Sequence, residues 1–296
     1  MGTVTRSGFI ALAGRPNVGK STLINAIVGR KVAIVSDKPQ TTRRAIRGVA
    51  TGEDWQLVLV DLPGVQRPRD PLTARMQARV ERELADCDGA LFVLNGQEGV
   101  GPGDRFIAEA LRKANVPVIV AVNKVDKLDK PKTVTMLSQV ADLEIGEDIY
   151  PISARTGNGV EPLLDRLREL LPEGPFYFAE DEDSDQTEEV LLAELIREQV
   201  LRRTFQEVPH AVEVMIDDIS EPRPGMTRVV ANVWVETNSQ KGILIGAQGR
   251  MIKAIGTAAR RELERELGGK VHLDLAVRVR RDWRADERAL DRLGIE

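Results

Sequence analysis

A chain of 296 residues with 42% hydrophobic and 30% charged content is long enough for two domains and too apolar to be disordered throughout. Its one cysteine, Cys87, excludes an internal disulfide, and with only His210 and His272 beside it no zinc site can be assembled. No apolar run approaches the roughly 18 residues needed to cross a bilayer, and no charged-then-apolar leader precedes the first strand, so the expected compartment is the cytosol.

Phe9–Ala13 is an apolar run of strand length. It is followed by Gly14-Arg15-Pro16-Asn17-Val18-Gly19-Lys20-Ser21, which fits G-x-x-x-x-G-K-[ST], and then by Leu23, Ile24, Ile27 and Val28 at helical spacing. Strand, loop and helix in this order aim consecutive backbone N–H groups and a helix N-terminus at phosphate oxygens; Lys20 reaches the terminal phosphates, and Ser21, next to Thr22, reaches magnesium.

Pro39-Gln40-Thr41-Thr42-Arg43 follows, a threonine pair in a segment unsuited to helix, and Thr42 is expected to close on magnesium only when a γ-phosphate is present. The strand Leu57–Asp61 ends in Asp61-Leu62-Pro63-Gly64, where Asp61 reaches magnesium through water and Gly64 offers its N–H to the γ-phosphate. Lys20, Thr42 and Gly64 therefore form the expected catalytic set. The next residue, Val65, is aliphatic and cannot orient an attacking water, so intrinsic hydrolysis should be slow and helped by backbone groups, magnesium or an outside contribution; Gln66 reads as a mobile surface residue.

A helix is expected from Asp70 to Leu84, a strand from Ala90 to Leu94, a helix from Gly103 to Ala114 and a strand from Val116 to Val122. That last strand runs into Asn123-Lys124-Val125-Asp126. The Asp126 carboxylate of an N-K-x-D arrangement accepts hydrogen bonds from the guanine ring N–H and exocyclic amine, a pattern adenine lacks, so the triphosphate is GTP. Ser153-Ala154-Arg155, after the strand Ile149–Ile152, completes the pocket with the backbone N–H of Ala154. A helix from Val160 to Leu171 closes the half. Strands that are nearly continuous in apolar residues predict an α/β fold with a mostly parallel sheet covered on both faces.

Leu171-Pro172-Glu173-Gly174-Pro175 and the acidic run Glu180–Glu189 interrupt this pattern. The expected division is a nucleotide-binding domain at 1–172, a solvated acidic linker at 173–187 and a second domain at 188–296. The second part reads as a helix at Val190–Thr204, strands at His210–Ile219 and Thr227–Glu236 joined by a turn at Ser220–Gly225, a glycine-containing loop, a helix at Arg250–Leu267 and a strand at Val271–Val279. Both histidines are placed as solvated strand residues. Residues 241–284 carry 11 Lys+Arg against 5 Asp+Glu, a net +6, leaving −10 for the rest of a chain whose total is −4. So local a basic segment suits a polyanion.

Gly14–Ser21, Gln40–Arg43, Asp61–Gly64 and Asn123–Asp126 resemble the boxes of the translation-factor-like GTPases of the Ras superfold and, within them, the Era family. Ser239-Gln240-Lys241-Gly242-Ile243-Leu244-Ile245-Gly246-Ala247-Gln248-Gly249 looks like that family's C-terminal RNA-binding signature, a type II KH domain, and Glu194–Glu198 is similar to the helix that opens it. In a G-x-x-G loop glycine lets the phosphodiester backbone approach without a Cβ clash, which singles out Gly246 and Gly249. With them as RNA contacts go Lys241, Gly242, Ile245, Ala247, Gln248, Arg250 and Lys253; Ala247 and Gln248 stand where the family often has a basic residue.

The resemblance implies a magnesium-dependent GTPase, expected to be a monomer, that binds small-subunit rRNA near its 3′ end and acts in assembly of the small ribosomal subunit. Related GTPases with an asparagine at the position of Asn17 hold a potassium ion against the phosphates, and peripheral association with the inner face of the cell membrane is reported for the family. The alternative reading is a GTP-dependent regulator of a protein or membrane partner, with the C-terminal domain as a scaffold. A tRNA-modification GTPase would need a further catalytic domain, and an RNA-binding module regulated by nucleotide would not turn over GTP.

Overall fold

The structure, a computed structural model, describes residues 4–38, 41–63, 71–146, 148–205 and 207–295. In the first half β1 (Arg6–Ala13), α1 (Lys20–Val28), β2 (Ile46–Thr51), β3 (Trp55–Asp61), α2 (Pro71–Asp86), β4 (Gly89–Asn95), α3 (Pro102–Ala114), β5 (Val118–Asn123), α4 (Lys130–Ala141), β6 (Ile149–Pro151) and α5 (Val160–Glu169) form a six-stranded sheet with helices on both faces. The strand order is β2-β3-β1-β4-β5-β6, parallel except for β2, which runs antiparallel to β3.

The continuous apolar runs have the cause expected of them. Along β1, Ile10 and Leu12 join one core with Leu23 and Ile24 of α1 and Leu163 and Leu167 of α5. Ala11 and Ala13 point the other way, into a core built by Val80 and Leu84 of α2, Ile107 and Leu111 of α3, and Met136 and Val140 of α4. A strand covered on both sides has no polar face to display. The ends of β1, β3 and β5, at Ala13, Asp61 and Asn123, then bring three loops to one edge of the sheet.

In this half two elements escape the sequence reading. The strand β2 is short and contains Arg47 and Gly48, so its pattern is weak, and the three residues Gly52 to Asp54 fold it back onto β3. The helix α4 has a mostly polar exterior and is started by the Asp129 side chain, which accepts from the Lys132 N–H at 2.9 Å.

The second half consists of α6 (Glu188–Leu201), the short α7 (Val208–Ala211), β7 (Glu213–Arg223), β8 (Met226–Val235), α8 (Asn238–Ile245), α9 (Arg250–Leu267), β9 (Lys270–Val279) and α10 (Glu287–Arg292). β8 is central in a three-stranded sheet, antiparallel to β7 and parallel to β9. Val229, Ala231, Val233 and Val235 of β8 alternate into a core with Leu192 and Ile196 of α6 and Ile255, Ala259 and Leu263 of α9. Among the described residues no helix is long and apolar enough to cross a membrane.

Two expectations need correction. His210 is a half-buried residue of α7, not a solvated strand residue; His272 is exposed on β9. The acidic run is not free in solvent either. The Asp183 carbonyl accepts from the Val49 N–H at 2.8 Å, and Asp183 and Asp185 pair with Arg30 and Arg47 at 2.6 and 3.0 Å. An edge strand leaves backbone groups unpaired, and this segment covers those of β2 while two arginines offset its charge. The halves also share an apolar cluster in which Leu72 and Met76 of α2 meet Met215, Trp234, Trp283, Leu290 and Leu293.

Candidate functional site: a nucleotide cavity and a helix-loop-helix surface

The loop between β1 and α1 turns through left-handed residues at Asn17 (φ 64°) and Gly19 (φ 105°), then delivers Lys20 as the first residue of α1. Only glycine suits position 19, because a Cβ there would sit 2.3 Å from Asn123 Nδ2. Lys20 is buried, its Nζ donating to the Gly14 carbonyl at 3.1 Å. Ser21 donates to Asp61 Oδ2 at 2.7 Å, Thr42 Oγ1 donates to the same oxygen at 3.1 Å, and the two hydroxyls are 3.3 Å apart.

The other carboxylate oxygen, Asp61 Oδ1, is buried with no hydrogen-bond partner among the described residues. Burial pushes the Asp61 carboxyl up, an effect that Lys20, Ser21 and Thr42 only partly oppose, and burial pushes the Lys20 ammonium down against the pull of Asp61. A buried carboxylate with an unused oxygen, flanked by two hydroxyls, is a hard oxygen set of the kind magnesium takes, so these residues fit the ion. Next to it a cavity of about 300 Å³ is lined by the loop residues Pro16, Asn17 and Gly19 to Thr22, by Thr41 and Thr42, and by Lys124. Ile34, Val35, Ser36 and Asp37 also line it, a contribution absent from the sequence reading. The signal for it was position alone, between α1 and the threonine pair.

Asn123 fastens the base-side motif to the phosphate loop. Its Nδ2 donates to the Val18 carbonyl at 2.9 Å, and its Oδ1 accepts from the N–H groups of Lys124 at 2.8 Å and Ala154 at 2.9 Å. Lys124, left-handed at φ 67°, donates its Nζ to the Asn17 carbonyl at 2.6 Å. The Ala154 N–H, expected to complete the guanine pocket, is thus directed at Asn123 Oδ1 and helps hold that side chain in place. Asp126 is exposed in the turn Val125–Lys127, Ser153 is buried, and Arg155 is exposed.

The remaining predicted residues fall into place around this frame. Arg15 is drawn out to α3, its Nε donating to the buried Asp104 at 2.9 Å, and Leu62 and Pro63 are buried behind Asp61. The Asn17 side chain donates to the Asp37 carbonyl at 2.6 Å, which ties the phosphate loop to the segment leading to Thr42. Pro39, Gln40, Gly64, Val65, Gln66 and Asp70 lie outside the described residues.

The predicted RNA contacts form a separate surface. Thr237 caps α8, accepting from the Gln240 N–H at 3.2 Å, and places Lys241, Gly242 and Ile245 in its exposed or half-exposed turns. Gly246 (φ 67°) has no room for a Cβ, which would lie 2.8 Å from that of Met251. Ala247 and Gln248 are exposed in the turn that follows, and Gly249 faces open space before Arg250 starts α9. Between α9 and β9 a groove of about 350 Å³ is lined by Ile252, Lys253, Gly256, Arg260 and His272. A second, of about 370 Å³, lies on the other flank of α9 among Arg203, Arg250, Lys253 and Arg261. Arg203 and Arg261 were not read from the sequence, because they lie 58 positions apart and only the packing of α6 on α9 unites them.

Residues 9–124 match the model of a family described as 50S ribosome-binding GTPase, and residues 207–284 match that of the KH domain. Fold and site thus define a P-loop GTPase domain followed by a KH domain. The chain is 47% identical to GTPase Era of Mycobacterium tuberculosis, with 99% of each chain covered. It superposes with a TM-score of 0.95 and 34% identity on a crystal structure of Era in complex with MgGDPNP and nucleotides 1506–1542 of 16S ribosomal RNA, covering 98% of this chain and 99% of that one. A crystal structure of an Aquifex aeolicus Era variant bound to GDP and AlF4⁻ gives 0.94 and 34%, with the same coverage. The chain belongs to the Era family of GTPases.

Proposed function

We propose that this protein is a GTP-hydrolysing switch that binds small-subunit rRNA near its 3′ end through its KH domain and acts in small ribosomal subunit assembly. The observation that carries the reading is the pairing, in one chain, of a cavity where Lys20, Ser21, Thr42 and Asp61 converge with a glycine-flanked loop on a basic surface. Its nearly full-length likeness to a relative whose complex contains MgGDPNP and 16S rRNA supports both halves.

In this reading the GTPase domain spans 1–172, an acidic connector 173–187 and the KH domain 188–296. The N–H groups of the phosphate loop and Lys20 bind the phosphates, Ser21, Thr42 and Asp61 hold magnesium, and Asp126 selects guanine. The ion, when bound, offsets charge on the β- and γ-phosphates. Thr42 senses the γ-phosphate, and its segment relaxes once that group is gone. Gly246 to Gly249 clamp the RNA backbone, with Lys241, Arg250 and Lys253 supplying charge. Asn17 is assigned a potassium ion, so hydrolysis should run faster in potassium than in sodium at equal ionic strength.

The protein works in the cytoplasm in this account. The membrane reading is disfavoured because the apolar residues Ile255, Ala259 and Leu263 of α9 are buried against the sheet rather than offered to lipid. Steady-state phosphate release from GTP, with ATP as the control, tests the enzyme; crosslinking in cell extract followed by sequencing of the attached RNA tests the target. Equal turnover of ATP, or reads spread evenly over unrelated transcripts, would reject it.

A further inference from the structure

The four residues 41 to 44 face two ways. Thr42 turns its hydroxyl into the nucleotide cavity, onto Asp61. Arg43 turns into the C-terminal half, where its side chain is wholly buried: Nη1 donates to the Val212 carbonyl at 2.6 Å and to Glu213 at 2.8 Å, while Nη2 donates to the carbonyls of His210 at 2.9 Å and Pro209 at 3.3 Å. Its guanidinium also lies 5.4 Å from the ring centre of the buried Trp283.

The flanking residues are gripped by the same half. Arg44 donates to the Leu293 carbonyl at 2.6 Å and to Glu194 at 2.7 Å, and the buried Arg197 of α6 donates to the Thr41 carbonyl. Further upstream, Glu198 accepts from the Val35 N–H at 3.0 Å and pairs with Lys31 at 2.6 Å. Thr42 is thus enclosed on both sides by anchors in α6, α7 and β7.

Buried ion clusters are poor sources of net stability, because desolvation offsets most of their attraction. This one even leaves Arg43 Nε and Arg197 Nη1 without partners among the described residues. What such a cluster does supply is a fixed position, and the atom it fixes is one peptide away from the proposed magnesium ligand. We propose that Arg43 is a positioning residue: seated in the C-terminal half, it holds Thr42 in the nucleotide cavity, so that docking of the two halves sets the affinity for the magnesium-bound triphosphate. By linkage, the triphosphate in turn favours the docked arrangement. This rests on the assignment of Thr42 to magnesium.

The test uses the full-length protein and two ligands, magnesium with a non-hydrolysable GTP analogue and GDP. Arg43→Met removes one of three cations and leaves two, Arg44 and Arg197, facing two carboxylates, Glu194 and Glu213, so no carboxylate in the cluster loses its counter-charge. It should weaken binding of the analogue about tenfold and leave GDP binding within about twofold. Simple interdomain glue predicts no such split. Should Arg43→Met fail to fold, Arg43→Lys decides: one ammonium keeps the charge but cannot span four acceptors, and the same selective loss is expected. Equal losses for both nucleotides, or none, overturn the inference. Thr42→Ala is the control: if it lowers analogue affinity selectively while the Arg43 variants do not, the positioning role alone fails. If Thr42→Ala changes nothing, the assignment of Thr42 falls and the inference with it.

Discussion

Replacing Gly19 by alanine should separate the phosphate loop from the base-reading motif. The new Cβ would sit 2.3 Å from Asn123 Nδ2, so the Asn123 side chain has to leave, and three hydrogen bonds, to Val18, Lys124 and Ala154, go with it. At about 1 kcal/mol net for each, that is about 3 kcal/mol. A side chain at φ 105° adds strain of about 2 kcal/mol. The combined cost of restoring the binding geometry, about 5 kcal/mol, corresponds to a loss of nucleotide affinity of more than about 10³-fold.

Asn123→Ala alone removes the three bonds but not the backbone geometry, and should cost about 3 kcal/mol, on the order of 10²-fold. In the double variant the obstruction is gone, so the alanine in the loop adds only its strain and the total returns to about 5 kcal/mol, no worse than Gly19→Ala. Titration with a fluorescent GDP analogue measures the three affinities, and thermal unfolding without nucleotide reports whether the fold survives. Strict additivity of the single losses, or a Gly19→Ala protein that binds within about tenfold of the parent, would refute the proposed contact.

Three further outcomes are expected. Trp283→Ala removes a fully buried ring whose Nε1 donates to the Ala211 carbonyl at 2.9 Å, and urea unfolding followed by circular dichroism should show a loss of about 4 kcal/mol; less than about 1 kcal/mol would contradict the packing. Cys87 should resist a thiol reagent at pH 8 until denaturant is added, because burial, then Glu83 and Asp88, push its thiol up to about 12; fast labelling of the folded protein would be the contrary result. Burial alone would raise the Glu213 carboxyl, but Arg44, Arg197 and Arg43 hold it down at about 2 against an ordinary 4.5. A carboxyl depressed in the folded state gives stability that is whole above pH 4.5 and lost as pH falls toward 2, so the acid-unfolding slope in that window should be shallower in Glu213→Gln, and parallel slopes would speak against the cluster.

The features legible in the chain were those whose chemistry is local. Gly14–Ser21 and Asn123–Asp126 could be read because each packs its turn geometry and its ligand groups into a few consecutive residues, and the apolar runs of β1, β3, β4 and β5 announce a buried sheet by themselves. Gly246 and Gly249 were readable for the same reason: a left-handed turn has few residues to choose from. By contrast, β2 owes its existence to pairing with β3, and the acidic run found its place because an edge strand and two arginines awaited it.

Nor could any pattern near Arg43 reveal which way it points. Its acceptors lie between 166 and 170 positions along the chain, and a guanidinium beside a threonine pair reads equally well as a solvated charge. Local sequence thus determined the separate motifs suited to a nucleotide and an RNA backbone, since within each motif covalent spacing alone brings its groups together, while the sheet gathers Ser21, Thr42 and Asp61. Only the tertiary structure decided how the two sites are joined, because burying Arg43 among carbonyls and a carboxylate requires the second half to be folded and docked before the charge can leave water.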